Sequence, residues 1–288
     1  MDFSHYIALG DSASIDLYPA LDAGEIDVAV ALERDATAGR VAALGAASLF
    51  YRNDEARWPE EIGNDLVSRF PAIEYENFAM DGATIGDVFG EQLPRLAESE
   101  EPTLLTLTIG ATDLFSAFAN KPKTSLVDRI AKDVAEAFEF VVDSVRRTRP
   151  NSLLIVSTIY DPSDRTARVR GVFDEPGTVR LHALDSLNES IRTVARGTPG
   201  VLLGEVYGHF LGHGVTAPEA DRWYWRRSLR TGHCRPMSSV HHCLLLASAG
   251  HHHGADLAGS PTRSGIHIAF TPGGRCNPHN RPIVQAHD

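Results

Sequence analysis

The sequence predicts an α/β protein built on a parallel, doubly wound sheet. Five short runs that are apolar or rich in β-formers are candidate strands, and amphipathic helix patterns separate the later ones. The longest helix pattern, residues 126–147, repeats apolar side chains at steps of three and four, the period of one helical face. Because parallel neighbours need crossover connections, strands that alternate with helices indicate a parallel sheet.

The individual elements follow from local patterns. The run Leu-Leu-Thr-Leu-Thr-Ile is continuous and typical of a strand that is buried on both faces. The predicted strands are residues 5–9, 73–78, 104–109, 151–157 and 201–206. The predicted helices are residues 58–70, with Pro59 in the first turn, and residues 85–97, 126–147 and 179–196. Neither an internal repeat nor a linker interrupts residues 1–225, so we expect them to form one domain.

Composition excludes several classes of function. The 288 residues carry a formal net charge of −11, with acidic and basic residues interspersed over most of the chain. A nucleic-acid groove or an anionic lipid surface requires a concentrated basic face, so neither partner is expected. No apolar run reaches the roughly 18 residues of a membrane span. The N-terminus lacks the pattern of a signal peptide and the three cysteines suggest no disulfide framework, so we expect a cytoplasmic protein.

The stretch Gly10-Asp11-Ser12 follows the first predicted strand directly. Open α/β sheets bind their ligands at the carboxyl ends of the strands. Ser12 would therefore stand at this edge, beside backbone N–H groups that favour negative charge at the start of a helix. The alternative is that Asp11 or Ser12 serves only as an N-cap.

Two further motifs follow later strands in the chain. Asn77–Thr84 contains Gly82, and Thr108–Leu114 contains Gly-Ala-Thr-Asp. In this order the three motifs resemble the sequence blocks of the SGNH (GDSL-type) hydrolases, over roughly residues 5–225. The resemblance implies a flavodoxin-like three-layer α/β/α fold with a five-stranded parallel sheet. It also implies ester hydrolysis or acyl transfer through Ser12, with no cofactor and no metal.

The resemblance also implies how the oxyanion is stabilised. The backbone N–H groups of Ser12 and Gly82 would donate to it, and a glycine lets the backbone approach the substrate closely. The family has an asparagine where this chain has Thr112. A threonine hydroxyl can donate but is shorter, and losing one such donor typically costs about 3 kcal/mol in the transition state.

The general base departs further from the family pattern. The family ends on Asp-Xaa-Xaa-His, but here the candidate acid Asp221 is followed by Tyr224 at the position of the histidine. His209 and His213 follow the fifth predicted strand and would lie at the correct edge of the sheet. An imidazole with a pKa near about 6.5 suits a general base. Either histidine is therefore a candidate base, and the alternative is that both are structural.

The resemblance thus implies a hydrolase that cleaves or transfers an acyl ester of a small molecule. The alternative is a catalytically impaired SGNH-fold protein that binds an ester, a glycan or a partner without turnover. The replacement of asparagine by Thr112 and the absence of the family histidine after Asp221 favour this alternative. The sequence does not indicate the oligomeric state or the acyl and alcohol groups.

Residues 226–288 form an atypical tail. They contain two of the 38 acidic residues, all three cysteines and nine of the 13 histidines, and they have almost no amphipathic pattern. One interpretation is a metal site, although the histidines and cysteines of the tail lack a paired ligand framework such as Cys-Xaa2-Cys. Another is a natural disordered extension. The interpretation we favour is translation in a shifted reading frame from near Arg226, which would have removed a closing helix.

Overall fold

Five parallel strands form the central sheet. The computed structural model describes residues 2–22, 43–119, 123–169, 173, 175 and 177–218, together with two short strands after residue 225. Every neighbouring pair in the five-stranded sheet is parallel. The strands are β1 His5–Gly10, β2 Glu74–Asn77, β3 Thr103–Thr108, β4 Ser152–Ser157 and β5 Val201–Gly204. The five predicted strands are therefore confirmed, and their bounds shift by no more than two residues.

The strand order is β2-β1-β3-β4-β5. The chain starts near the middle of the sheet, adds β2 on one side, and then crosses back to add β3, β4 and β5 on the other. This is the flavodoxin-like order, in which the first crossover reverses direction beside β1. The ends of β1 and β3 lie at that switch point, where an open α/β sheet forms its crevice.

Helices connect the strands. The helix predicted over residues 126–147 is confirmed, and the one predicted over residues 179–196 begins two residues later. The α-helices are α1 Leu17–Asp22, α2 Ala46–Tyr51, α3 Leu66–Arg69, α4 Ile85–Asp87, α5 Ala111–Ala119, α6 Thr124–Thr148, α7 Leu181–Gly197 and α8 Val206–Phe210. The chain continues from α4 into a π turn, Val88–Gln92, and a 3-10 turn, Leu93–Arg95.

The prediction of one continuous helix over residues 58–70 was wrong. The chain forms a 3-10 turn at Pro59–Glu61, and α3 begins only after Asp65, whose side chain accepts a hydrogen bond from the Ser68 N–H. Gly63 between the two pieces has a φ of +81°, which a right-handed helix does not allow. The interruption turns Ile62 outward, and 56% of its surface is exposed.

Alternate residues of the strands pack on opposite faces of the sheet. Ile7 and Leu9 point into a large cluster with apolar residues of α5, α6 and α7, whereas Tyr6 and Ala8 point into a smaller cluster with residues of α2 and α3. This alternation is the two-residue period of a pleated strand. The result is a three-layer α/β/α arrangement that matches the expected fold.

After residue 218, the described residues form one antiparallel pair, β6 Arg226–Arg227 with β7 Cys234–Arg235. The interpretations of the tail, and the prediction for Asp221, otherwise lie outside the described residues. None of the helices in the described parts of the chain is both long enough and apolar enough to cross a bilayer.

Candidate active site

The turn after β1 passes very close to β3. Gly10 has a φ of +124°, and a Cβ atom at this position would lie 2.0 Å from the carbonyl oxygen of Thr108. The Asp11 N–H donates to the same oxygen at 2.8 Å. Only glycine can occupy position 10 without moving β3. The close approach of this residue to β3 therefore fixes where the turn that carries Ser12 begins.

Gln92 holds the same turn from the other side. Its side-chain oxygen accepts from the Gly10 N–H at 2.8 Å, and its side-chain nitrogen donates to the Gly10 carbonyl, also at 2.8 Å. Gln92 is fully buried, and sequence reasoning missed this role. A signal was present, because Gln92 lies four residues after Val88 and four before Leu96, on the face that these apolar residues direct inward.

Asp11 is a buried carboxyl group next to the half-buried Ser12. Burial raises the pKa of Asp11 to about 7, although hydrogen bonds from the Ala13 N–H and the Thr108 hydroxyl oppose this shift. The negative charge of Asp113 raises the pKa further. Near neutral pH, Asp11 is therefore partly protonated in the folded protein.

We expect Asp11→Asn to stabilise the protein at alkaline pH. The folded-state pKa lies above the ordinary value of 3.8, so wild-type stability falls as pH rises from about 4 to above 7. The variant should raise the free energy of unfolding at pH 8 by a few kcal/mol, at most about 4, and change it little at pH 4. Urea unfolding at both pH values measures this difference, and an equal effect at both would contradict the shift.

A pocket opens beside Ser12 at the carboxyl edge of the sheet. It lies across the ends of β1, β3 and β4 and the beginning of α8. Its lining residues are Asp11, Ser12, Ala13, Thr108, Ile109, Ala111, Ser157, Thr158, Ile159, Tyr160 and Val206. Ser12, the candidate nucleophile, therefore lies at the edge of the sheet where the sequence predicted it. The walls of its pocket contain both hydroxyl groups and apolar side chains.

Gly82 lies in the loop after β2, and Thr112 lies in the helix that follows β3. Gly82 occupies an exposed turn with a φ of +68°, and the Met80 N–H donates to the Gly10 carbonyl at 3.1 Å, which keeps this loop beside the end of β1. Thr112 is the second residue of α5 and is half-buried. Neither residue is among the described residues that line the pocket.

The two candidate bases follow β5. His209 lies in α8, which begins at the pocket residue Val206, and its ring packs edge-on against Phe210 at 6.0 Å between centroids. His213 lies in the following turn, where its N–H donates to the Phe210 carbonyl at 3.1 Å. Both histidines are half-buried. Within the described residues, the Ser12 hydroxyl forms no hydrogen bond with either of them.

A family model described as GDSL-like Lipase/Acylhydrolase matches residues 6–197. Among curated protein sequences, none is similar enough to this chain to count as a match.

Solved structures share the fold at low sequence identity. An extracellular lipase from Streptomyces rimosus is 18% identical with a TM-score of 0.55, and the match covers 85% of this chain and 99% of that one. Phospholipase A1 from Streptomyces albidoflavus NA297 is 19% identical with a TM-score of 0.56 and the same coverage. An acetylxylan esterase from Geobacillus stearothermophilus is 13% identical with a TM-score of 0.52, and the match covers 86% of this chain and 94% of that one. At these identities, the likeness shows the fold.

Proposed function

The chain belongs to the GDSL-like lipase/acylhydrolase family, and on that premise we propose that it cleaves or transfers acyl esters through the Ser12 hydroxyl. The observation that carries the proposal is the position of Ser12. It stands on a turn that Gln92 and Thr108 hold in place, in the wall of a pocket at the carboxyl edge of the sheet. A hydroxyl in such a place is accessible to a carbonyl group that enters the pocket.

In the proposed reaction, the Ser12 Oγ attacks the carbonyl carbon of the ester while an imidazole accepts its proton. His213 or His209 supplies that imidazole, and Asp221 orients it. The tetrahedral intermediate collapses, the bond to the alcohol oxygen breaks, and the imidazolium returns the proton to the departing alcohol. Water then attacks the acyl-enzyme with the same imidazole as base, or a second alcohol takes the acyl group.

The oxyanion receives hydrogen bonds from the Ser12 N–H, the Gly82 N–H and the Thr112 hydroxyl. The exposed turn at Gly82 supports its role because a substrate can approach its backbone there. Thr112 lies in the first turn of α5, next to Asp113, which accepts from the Ile85 N–H at 3.1 Å and so ties α5 to α4. The shorter reach of threonine predicts slower turnover than an asparagine would give, by a factor of about 100.

A second candidate function is ester or glycan binding without turnover. Thr112 in the place of the family's asparagine favours it, as does Tyr224 in the place of the family's histidine. Both substitutions remove groups that stabilise the transition state more than the bound substrate. A binding protein would retain the pocket but hydrolyse nothing.

Steady-state hydrolysis distinguishes the two functions. The purified chain is incubated with p-nitrophenyl acetate, p-nitrophenyl octanoate and a diacyl phospholipid, since the structural relatives include both an acetylxylan esterase and a phospholipase A1. Saturable release of alcohol or fatty acid above the protein-free rate supports the proposal. A folded chain that hydrolyses none of these esters while a product analogue binds would favour the binding function.

A further inference from the structure

The loop after β4 has an unusual backbone. Asp164, Arg165 and Ala167 have φ angles of +49°, +66° and +57°, a left-handed region that residues with a side chain seldom adopt. Such conformations persist only where the surrounding contacts determine them, and they cluster at functional sites. These conformations indicate that the loop does more than connect β4 to α7.

Asp161 determines the shape of this loop. Its buried carboxylate accepts hydrogen bonds from the Ser163 N–H at 2.8 Å, the Ser163 hydroxyl at 2.6 Å and the Arg165 N–H at 2.7 Å. The side chain of Arg165 then bridges to Asp185 and to the hydroxyl of Tyr207, each at 2.6 Å. Asp164, between these anchors, is left with its carboxylate directed at the segment that follows α8.

The carboxylate of Asp164 holds the turn that carries His213. Its Oδ1 atom accepts from the Gly212 N–H at 3.0 Å and from the Gly214 N–H at 2.9 Å, the residues on either side of His213. Its Oδ2 atom accepts from the Thr216 hydroxyl at 2.9 Å. One side chain therefore fixes the backbone immediately before and immediately after the candidate base.

The loop after β4 and the Gly212–Thr216 turn approach each other as closely as their backbones allow. The Val215 N–H donates to the Pro162 carbonyl at 3.0 Å, and a Cβ atom on Gly214 would lie 2.7 Å from that same oxygen. Closer to the pocket, the Tyr207 N–H donates to the hydroxyl of Thr158, a pocket-lining residue, at 2.9 Å. The histidine segment is thus fastened to the β4 side of the pocket at both of its ends.

We propose that Asp164 is a positioning residue for the reaction, because it fixes the Gly212–Thr216 turn, which carries His213, and thereby sets the position of the His213 imidazole. This inference rests on the proposed function and selects His213, rather than His209, as the base. Asp164 acts through the backbone of the turn and does not itself contact substrate. A displacement of about 1 Å in a catalytic group can lower turnover by about 100-fold.

The decisive test is a double-mutant cycle between Asp164 and His213. Asp164→Gly removes the carboxylate without adding backbone strain, because glycine accepts a φ of +49°. It should lower kcat by about 100-fold and leave KM within about twofold, since binding of the ester does not need the base. In the His213→Ala background the same change should have almost no further effect, because the positioned group is already absent.

Asp164→Asn provides a matched variant. It keeps one acceptor for the two glycine N–H groups and tolerates the left-handed backbone, but it loses the acceptor for Thr216. It should recover much of the turnover lost in Asp164→Gly, and the same cycle with Asp164→Asn decides the question if Asp164→Gly does not fold.

Three outcomes would overturn the inference while the Ser12 mechanism stands. They are wild-type kcat in a folded Asp164→Gly variant, an equal loss from Asp164→Gly with and without His213, and wild-type activity in His213→Ala. A wild-type chain without Ser12-dependent turnover would instead overturn the proposed function itself.

Discussion

Ser12→Ala is expected to lower kcat/KM for ester hydrolysis by about 10⁴-fold or more, because in the proposed reaction the Ser12 Oγ is the atom that forms the acyl-enzyme. The residual rate should match what pocket binding and the oxyanion donors supply without a nucleophile. The folded state should be unaffected, since the half-buried Ser12 hydroxyl forms no hydrogen bond within the described residues. The release of p-nitrophenol by wild type and variant measures the ratio.

Ser14→Ala is the matched control for this variant. Ser14 lies two residues away and is fully buried, and its hydroxyl is bonded to the Thr108 hydroxyl at 2.8 Å rather than exposed to the pocket. Removing it should cost about 1 kcal/mol of stability and leave the chemical step intact. If Ser14→Ala abolished hydrolysis while Ser12→Ala did not, the assignment of the nucleophile would be wrong.

Gly10→Ala should produce the largest loss of stability among single methyl additions at this site. The new Cβ would lie 2.0 Å from the Thr108 carbonyl oxygen, so β1 and β3 must separate or the turn must change its φ of +124°. Either change breaks the bonds that Gly10 and Asp11 make with Gln92 and Thr108. We expect the free energy of unfolding to fall by about 4 kcal/mol or more in urea titrations.

Gly63→Ala separates the steric effect from the cost of a positive φ. Gly63 has a φ of +81°, and a Cβ there meets nothing within 4 Å. It should therefore lose only about 1 kcal/mol, the cost of the left-handed conformation for a residue with a side chain. Similar losses in the two variants would contradict the view that contact with β3 is what requires glycine at position 10.

The sheet and the two long helices were predictable because burial imposes their patterns locally. A central strand such as β3 is buried along its whole length, and α6 shows its buried face as a stripe of helical period over 25 residues. Sequence reasoning needs nothing beyond these short windows to identify each element. The alternation of strands and helices then leaves few arrangements other than a parallel sheet.

Shorter elements were predicted less well, for identifiable reasons. The pattern over residues 85–97 is helical in period, but the chain passes through a π turn and then a 3-10 turn at Pro94, which has no N–H to continue an α-helix. The helix Ala111–Ala119 was not predicted. Its nine residues bury only Leu114, Ala117 and Phe118, too few to show a period.

The residues of the candidate site were also predictable only in part. The position of Ser12 could be predicted because a strand followed by Gly-Asp-Ser specifies a turn within a few residues. The spacing of Gln92 from Val88 and Leu96 indicated that its side chain is buried. The partners of Gln92 and Asp164 could not be predicted, because these side chains act on residues about 80 and about 50 positions away, which only the folded chain brings together. Whether His209 or His213 is the base stays a prediction that the cycle with Asp164 addresses.

A fluorophosphonate adduct would show directly that Ser12 is the nucleophile, because the reagent phosphonylates a serine only when that serine is activated. The wild-type chain is labelled near neutral pH, digested, and mapped by peptide mass spectrometry. We expect one adduct, on the peptide that contains Ser12, and its loss in Ser12→Ala but not in Ser14→Ala. A folded wild-type chain that takes up no label, or takes it up on a different residue, would contradict the assignment of Ser12 as the nucleophile.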